Sequence, residues 1–148
     1  MPLRLRGWDY ATPRTYFVTF CTFERRHILG CVQRDAVVLS AIGKVVAGSL
    51  TAANLAGTRL DTQMVMPDHI HLLVATGSDG LEAEHLAACV GRVKAVATRR
   101  VHDLALLPSA RPLWQRGFFD RVVRDDHERD AIRAYIATNP LRWTLKRL

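Results

Sequence analysis

The sequence predicts an α+β domain in which an antiparallel sheet carries helices on one face and a C-terminal helix over the other, open face. Three observations lead there. Aromatic and β-branched runs alternate with segments of helical periodicity in the order strand, helix, strand, strand, helix, strand, helix. The run His69-Ile70-His71-Leu72-Leu73-Val74 alternates imidazoles with aliphatics before Leu73. Read as a strand, it puts His69, His71, Leu73 and Ala75 on one face and the wholly aliphatic Ile70, Leu72 and Val74 on the other. Finally, no repeat, low-complexity tract or linker divides the 148 residues, so 1–148 reads as one domain.

Residues 1–14, with Arg4, Arg6, Trp8, Tyr10 and Arg14, read as a basic, aromatic arm. Tyr16 to Thr22 is aromatic and β-branched and predicts a strand. A turn follows around Gly30. From Asp35 to Leu55 the apolar residues Val38, Ile42, Val45, Val46 and Leu50 keep helical spacing, predicting a helix that ends near Gly57. Arg59 to Met66 predicts a second strand, and Pro67-Asp68 a tight turn into the histidine strand. Gly77 to Gly80 reads as a loop. Leu81 to Leu106 predicts a long helix bearing Arg92, Lys94, Arg99 and Arg100, broken by Pro108 to Pro112. Trp114 to Val123 predicts a strand with Gly117 as a candidate bulge, and Asp126 to Thr138 a last helix before Asn139-Pro140. The first six elements make βαββαβ, the ferredoxin-like arrangement, with the first and third strands central. The aliphatic face should then meet the two helices, and the histidines should lie mid-sheet on the face left for the final helix.

Composition narrows the function classes. Hydrophobic residues make up 49% and charged residues 24%, as in soluble globular proteins. No apolar run reaches the ~20 residues of a membrane helix, and no apolar stretch follows the basic start as in a signal peptide. Cys21, Cys31 and Cys89 lie outside any Cys-x-x-Cys pattern, fitting reduced, core-filling thiols in a cytoplasmic protein. Twenty-one Lys and Arg, mostly Arg, against 14 Asp and Glu give +7, the charge of a chain that meets a polyanion. No Gly-x-x-x-x-Gly-Lys-Ser/Thr loop is present, so a nucleotide cofactor is not expected.

The two histidines admit two readings from spacing alone: idle strand residues, or a metal pair needing a further ligand. Imidazole suits zinc, copper, iron, manganese or nickel, so the pair does not choose the ion. It argues against dinuclear metallohydrolases of the His-x-His-x-Asp-His type, because Leu73 stands where the acid should be. On the last helix Ala131, Tyr135 and Asn139 are four apart and share a stripe, beside an apolar stripe of Ile132 and Ile136. Alone, Tyr135 reads better as amphipathic packing with its hydroxyl at the rim than as a nucleophile.

Taken together, Tyr16–Thr22, Met66-Pro67-Asp68-His69-Ile70-His71-Leu72-Leu73-Val74, Trp114-Gln115-Arg116-Gly117-Phe118-Phe119-Asp120 and Tyr135-Ile136-Ala137-Thr138-Asn139-Pro140-Leu141-Arg142-Trp143 resemble the HUH single-tyrosine (Y1) transposases, most closely the REP-associated tyrosine transposases. The resemblance spans most of the chain, and the Met-Pro-Asp-His-Ile-His run is its most specific part. It implies that His69, His71 and Asn139 hold Mg²⁺ or Mn²⁺, and that Tyr135 is the nucleophile. It implies cleavage and rejoining of single-stranded DNA at hairpin-containing repeats through a 5′-phosphotyrosine. A residue before proline avoids helical geometry, so the helix is expected to end about Asn139. Arg4, Arg6, Arg14, Arg92, Lys94, Arg99 and Arg100 are the candidate DNA contacts. Trp8, Tyr10 and Trp114 are candidates for base stacking, with core packing favoured for Trp114. A monomer is favoured over a homodimer. The alternative is a non-catalytic nucleic-acid-binding module on the same sheet. A replication initiator or relaxase fits less well, for want of a second tyrosine in the right context.

Overall fold

A computed structural model describes residues 14–76 and 84–146. The strands are β1 (Thr15–Cys21), β2 (Gly30–Gln33), β3 (Ala36–Leu39), β4 (Thr58–Val65), β5 (His69–Thr76) and β6 (Phe119–Val123). The helices are α1 (Ala41–Gly48), α2 (Glu84–Asp103), α3 (Asp126–Ala137) and α4 (Asn139–Lys146). The main sheet has the order β4-β5-β1-β6, with every pair antiparallel. Without the β2–β3 hairpin this is the expected βαββαβ arrangement, and the expected first and third strands, β1 and β5, are central.

Period-two patterning sorts the two faces. Tyr16, Val18, Phe20, Ile70, Leu72 and Val74 pack with Val93, Ala97 and Val101 of α2 and with Val46 of α1 in the larger core. Each of the valine, leucine, isoleucine and phenylalanine side chains contributes about 1.5–3 kcal/mol on burial, so this face sets the pairing register. A one-residue slip of β5 would bury both histidines under the helices and expose its aliphatics. On the other face Leu73 and Val123 meet Ile132 and Ile136 of α3. An ion pair of Arg133 with Asp61 also ties α3 to β4.

Three boundaries differ from expectation. The helix expected over Asp35–Leu55 is shorter, because Ala36–Leu39 pairs with β2 through a two-residue turn at Arg34 and Asp35. Both turn residues have positive φ (52° and 61°), the geometry whose twist suits a tight hairpin. Ser40 then caps α1 by accepting a hydrogen bond from the Gly43 N–H at 3.0 Å. The strand expected from Trp114 begins only at Phe119, with Trp114 making an isolated bridge to Thr22. A further helix, α4, begins with Asn139-Pro140, where Pro is accommodated in the first turn. Asp125 caps α3 through the Glu128 N–H at 2.8 Å.

Cys21 and Cys89 are buried, as expected of filler, whereas Cys31 is exposed on β2, a two-stranded ribbon without enough cover to bury it. No described helix is long and apolar enough to cross a membrane. The arm residues 1–13, including Arg4, Arg6, Trp8 and Tyr10, and the Gly77–Gly80 loop lie outside the described residues.

Candidate active site

β5 turns His69 and His71 away from the helical core, and antiparallel pairing sets Cys21 opposite His69 and Thr19 opposite His71. Both imidazoles are nonetheless buried, at 8% and 5% exposure, because α3 and α4 cover this face. Their Nε2 atoms are 3.1 Å apart. Two nitrogens bound at right angles to one ion at about 2.1 Å would be separated by about 3.0 Å, so the pair is already spaced for a shared cation.

The outer nitrogens hold that orientation. The Asp68 carboxylate accepts from His69 Nδ1 at 2.6 Å, which leaves the Nε2 lone pair facing inward. His71 Nδ1 pairs with the Thr19 hydroxyl at 2.9 Å. Burial, followed by the adjacent His69 charge, lowers the His71 pKa from 6.5 to about 3, so this ring is a neutral donor at ordinary pH. Burial also acts against the charge of Asp68, but hydrogen bonds from His69 and Arg25 outweigh it and keep the carboxyl below its usual range. Arg25 reaches Asp68 Oδ2 with its Nε at 3.0 Å from a left-handed turn, Glu24 and Arg25 having φ of 55° and 54°.

Tyr135 and Asn139 come from opposite sides of the α3–α4 break. The Tyr135 ring centroid lies 5.7 Å from that of His71 and 6.0 Å from that of Phe17, and the Arg142 guanidinium stands 5.0 Å above the tyrosine ring. Asn139 is buried, and its Oδ1 has no hydrogen-bond partner among the described residues. A buried carbonyl oxygen left unpaired costs about 1–3 kcal/mol, so this atom suits a ligand that supplies a positive partner. Among the described residues no three His, Cys, Asp or Glu side chains gather as a metal site. A protein donor set here is thus two imidazoles and one amide oxygen, uncharged, which could hold a divalent ion with further oxygen ligands completing its shell.

These groups line a cleft of about 550 Å³ that includes Thr19, Arg25, Asp68, Tyr135, Asn139 and Arg142. His69, His71, Tyr135 and Asn139, separated by up to 70 positions in sequence, therefore share one cavity. The basic residues expected to bind DNA do not join them. Arg92, Lys94, Arg99 and Arg100 belong to α2, across the sheet from the cleft. The Lys94 ammonium donates to the carbonyls of Gln115 and Gly117, bracing the segment before β6. Arg92 donates to the Asn54 carbonyl at 3.1 Å, while Arg99 and Arg100 are exposed. Arg14 precedes β1 at the sheet end opposite the histidines, its N–H bonded to Thr76 Oγ1 at 2.8 Å. Trp114 packs on Phe20 at 5.1 Å between centroids, and its indole N–H donates to the Lys94 carbonyl, as the packing alternative required.

The cations that line the cleft are instead Arg25, Arg142 and Lys146. A signal for two of them existed: Asn139, Arg142, Trp143 and Lys146 have the i, i+3, i+4, i+7 spacing of one helix face. Arg25 had none, because only the strand register brings it to Asp68 across 43 positions.

Comparison with known proteins agrees with this fold. Residues 15–139 match the family described as transposase, IS200-like. An uncharacterized protein of Haemophilus influenzae is 22% identical over 161 residues, covering 95% of this chain and 88% of its own length. The solved structure of a REP-associated tyrosine transposase bound to a REP hairpin superposes with a TM-score of 0.57 at 14% identity, covering 96% of this chain and 73% of the other. The crystal structure of a protein described as a candidate transposase from Deinococcus radiodurans R1 gives 0.52 at 21% identity, covering 90% and 95%.

Proposed function

This chain belongs to the IS200-like transposase family, and from that premise we propose that it nicks and rejoins single-stranded DNA through a covalent bond to Tyr135. The observation that carries the reading is the meeting of Tyr135, the histidine pair and the unpaired Asn139 oxygen in one cleft. His69 Nε2, His71 Nε2 and Asn139 Oδ1 are the atoms that would hold a divalent ion, Mg²⁺ or Mn²⁺. When bound, such an ion supplies Lewis-acid stabilisation of charge on a non-bridging phosphate oxygen.

The protein's own groups do the rest. The Tyr135 hydroxyl oxygen attacks phosphorus and forms the tyrosyl O–P bond as the P–O3′ bond breaks. The phenolic proton is lost, and the departing 3′-oxygen takes up a proton to become a hydroxyl. The product is a 5′-phosphotyrosine and a free 3′ end. Phosphodiester energy is retained in the link, so the reverse attack rejoins DNA without a nucleotide cofactor. Arg142, stacked on the Tyr135 ring, puts a positive charge beside the phosphate that the tyrosine would attack. Asp68 and Thr19 keep the two imidazole Nε2 atoms directed inward. Hairpin-containing repeats are the proposed substrates. The structural relative bound to a REP hairpin supports that class of DNA. Docking of α3 on its own sheet supports a tyrosine that acts in the same chain, hence a functional monomer.

The test is a denaturation-resistant adduct with labelled single-stranded hairpin DNA and Mn²⁺. It should form with the natural chain and be absent from Tyr135→Phe and from His69→Ala/His71→Ala. Binding without any adduct would support the non-catalytic module, and an undiminished adduct from Tyr135→Phe would remove the nucleophile assignment.

A further inference from the structure

The phosphate chemistry leaves Trp143 and Lys146, on one wall of the cleft, without a task. Trp143, Leu145, Arg142 and Lys146, all on α4, face the cavity that Tyr135 and the histidines share. At about 550 Å³ the cleft has room for more than one phosphate group. Trp143 is half-buried, held by His27 at 4.9 Å between ring centroids, and lies 6.4 Å from His69 in a tilted arrangement. A rigid aromatic surface thus sits beside the imidazole pair. Asn139 starts the same helix face, Arg142 and Trp143 stand one turn on, and Lys146 about two turns on, roughly 10 Å along the axis. An aromatic plane flanked by two cations has the chemistry of a nucleotide site: the π-face accepts any unpaired base, and the cations accept phosphates.

We propose that this face of α4 is a nucleotide subsite for the unpaired nucleotide adjoining the scissile phosphate, its base lying on Trp143 and its phosphates meeting Arg142 and Lys146. The subsite rests on the reading that Tyr135 acts on single-stranded DNA, and it extends that reading to how the strand is gripped. Trp143 binds by stacking, which is indifferent to base identity. The subsite therefore requires a base that is unpaired, whatever its sequence, and discriminates against duplex at the point of cleavage.

The test compares two fluorescent single strands of about a dozen nucleotides: oligo-dT, and the same length of abasic phosphodiester with equal charge. Binding is followed by anisotropy without divalent metal, so it reports on the subsite whether or not an adduct ever forms. The natural chain should prefer oligo-dT by about ten-fold, Trp143→Ala should bind the two probes equally, and Trp143→Phe should restore the preference. A merely structural role for Trp143 would lower both affinities together and keep their ratio, and that result overturns the proposal. So does equal binding by the natural chain. Arg142→Gln/Lys146→Gln should weaken both probes alike and flatten the slope of log affinity against log salt by about 1.4, for two phosphates released on a single strand. An unchanged slope removes the phosphate half of the subsite.

Discussion

Asp68→Asn keeps the size of a side chain that is 6% exposed while removing the charge that joins Arg25 to His69. The lost charge has two separable effects. On stability, hydrogen bonds to charged groups contribute about 1.5–3 kcal/mol each. The Arg25 side chain is 54% exposed, so solvent screens its share and the bond to His69, at 2.6 Å, dominates. The amide keeps part of both bonds, which leaves a loss of about 2 kcal/mol, or about 5–8 °C in Tm at this chain length. On function, Asn accepts more weakly from His69 Nδ1–H, so the ring is less firmly held with Nε2 inward. Loss of such an outer partner weakens metal affinity by about 10–100-fold. Calorimetric titration with Mn²⁺, beside a thermal melt, reads the two effects in one preparation. A folded Asp68→Asn protein that binds Mn²⁺ as tightly as the natural chain would refute the claim that this carboxylate orients the metal-facing imidazole.

Two further perturbations probe the same framework. His71 has a folded pKa of about 3 against 6.5 for the free group, so between these values the unfolded chain carries more protons there. Its contribution is complete above about pH 6.5 and declines as the pH falls toward 3, by about 2 kcal/mol from pH 6.5 to 5; urea midpoints that stay level across that interval would contradict a buried neutral ring. Gly43→Ala should raise the helix propensity of α1 by about 1 kcal/mol. Yet the added Cβ would sit 1.9 Å from the Leu29 carbonyl oxygen, so a net loss of about 1–3 kcal/mol is expected by urea denaturation, and a more stable variant would show that this close approach is absent.

Most of the framework was legible from local pattern. Period-two alternation along His69–Val74 assigned its two faces correctly, because a strand cannot bury its aliphatics without turning the imidazoles to the other side. Helical spacing likewise picked out the Ile132 and Ile136 stripe that packs against the sheet. Pattern failed where local preferences competed. Val37 and Val38 fit a helix period and a strand alike, and only pairing with β2 chose the strand. The sequence could not place the basic residues of α2 relative to the cleft, because burial of the opposite helix stripe carries them across the sheet from it.

What the sequence alone determined is therefore the sheet, its two faces and the histidine pair, since these follow from side-chain alternation within single elements. The working site was decided by tertiary structure. Strand register brings Thr19 to His71, a left-handed turn swings Arg25 onto Asp68, and the break at Thr138 lets α4 line the cleft with Arg142, Trp143 and Lys146. Each is a contact between distant parts of the chain or a change of chain direction. Such contacts have no period to read, and they exist only once the apolar faces have packed.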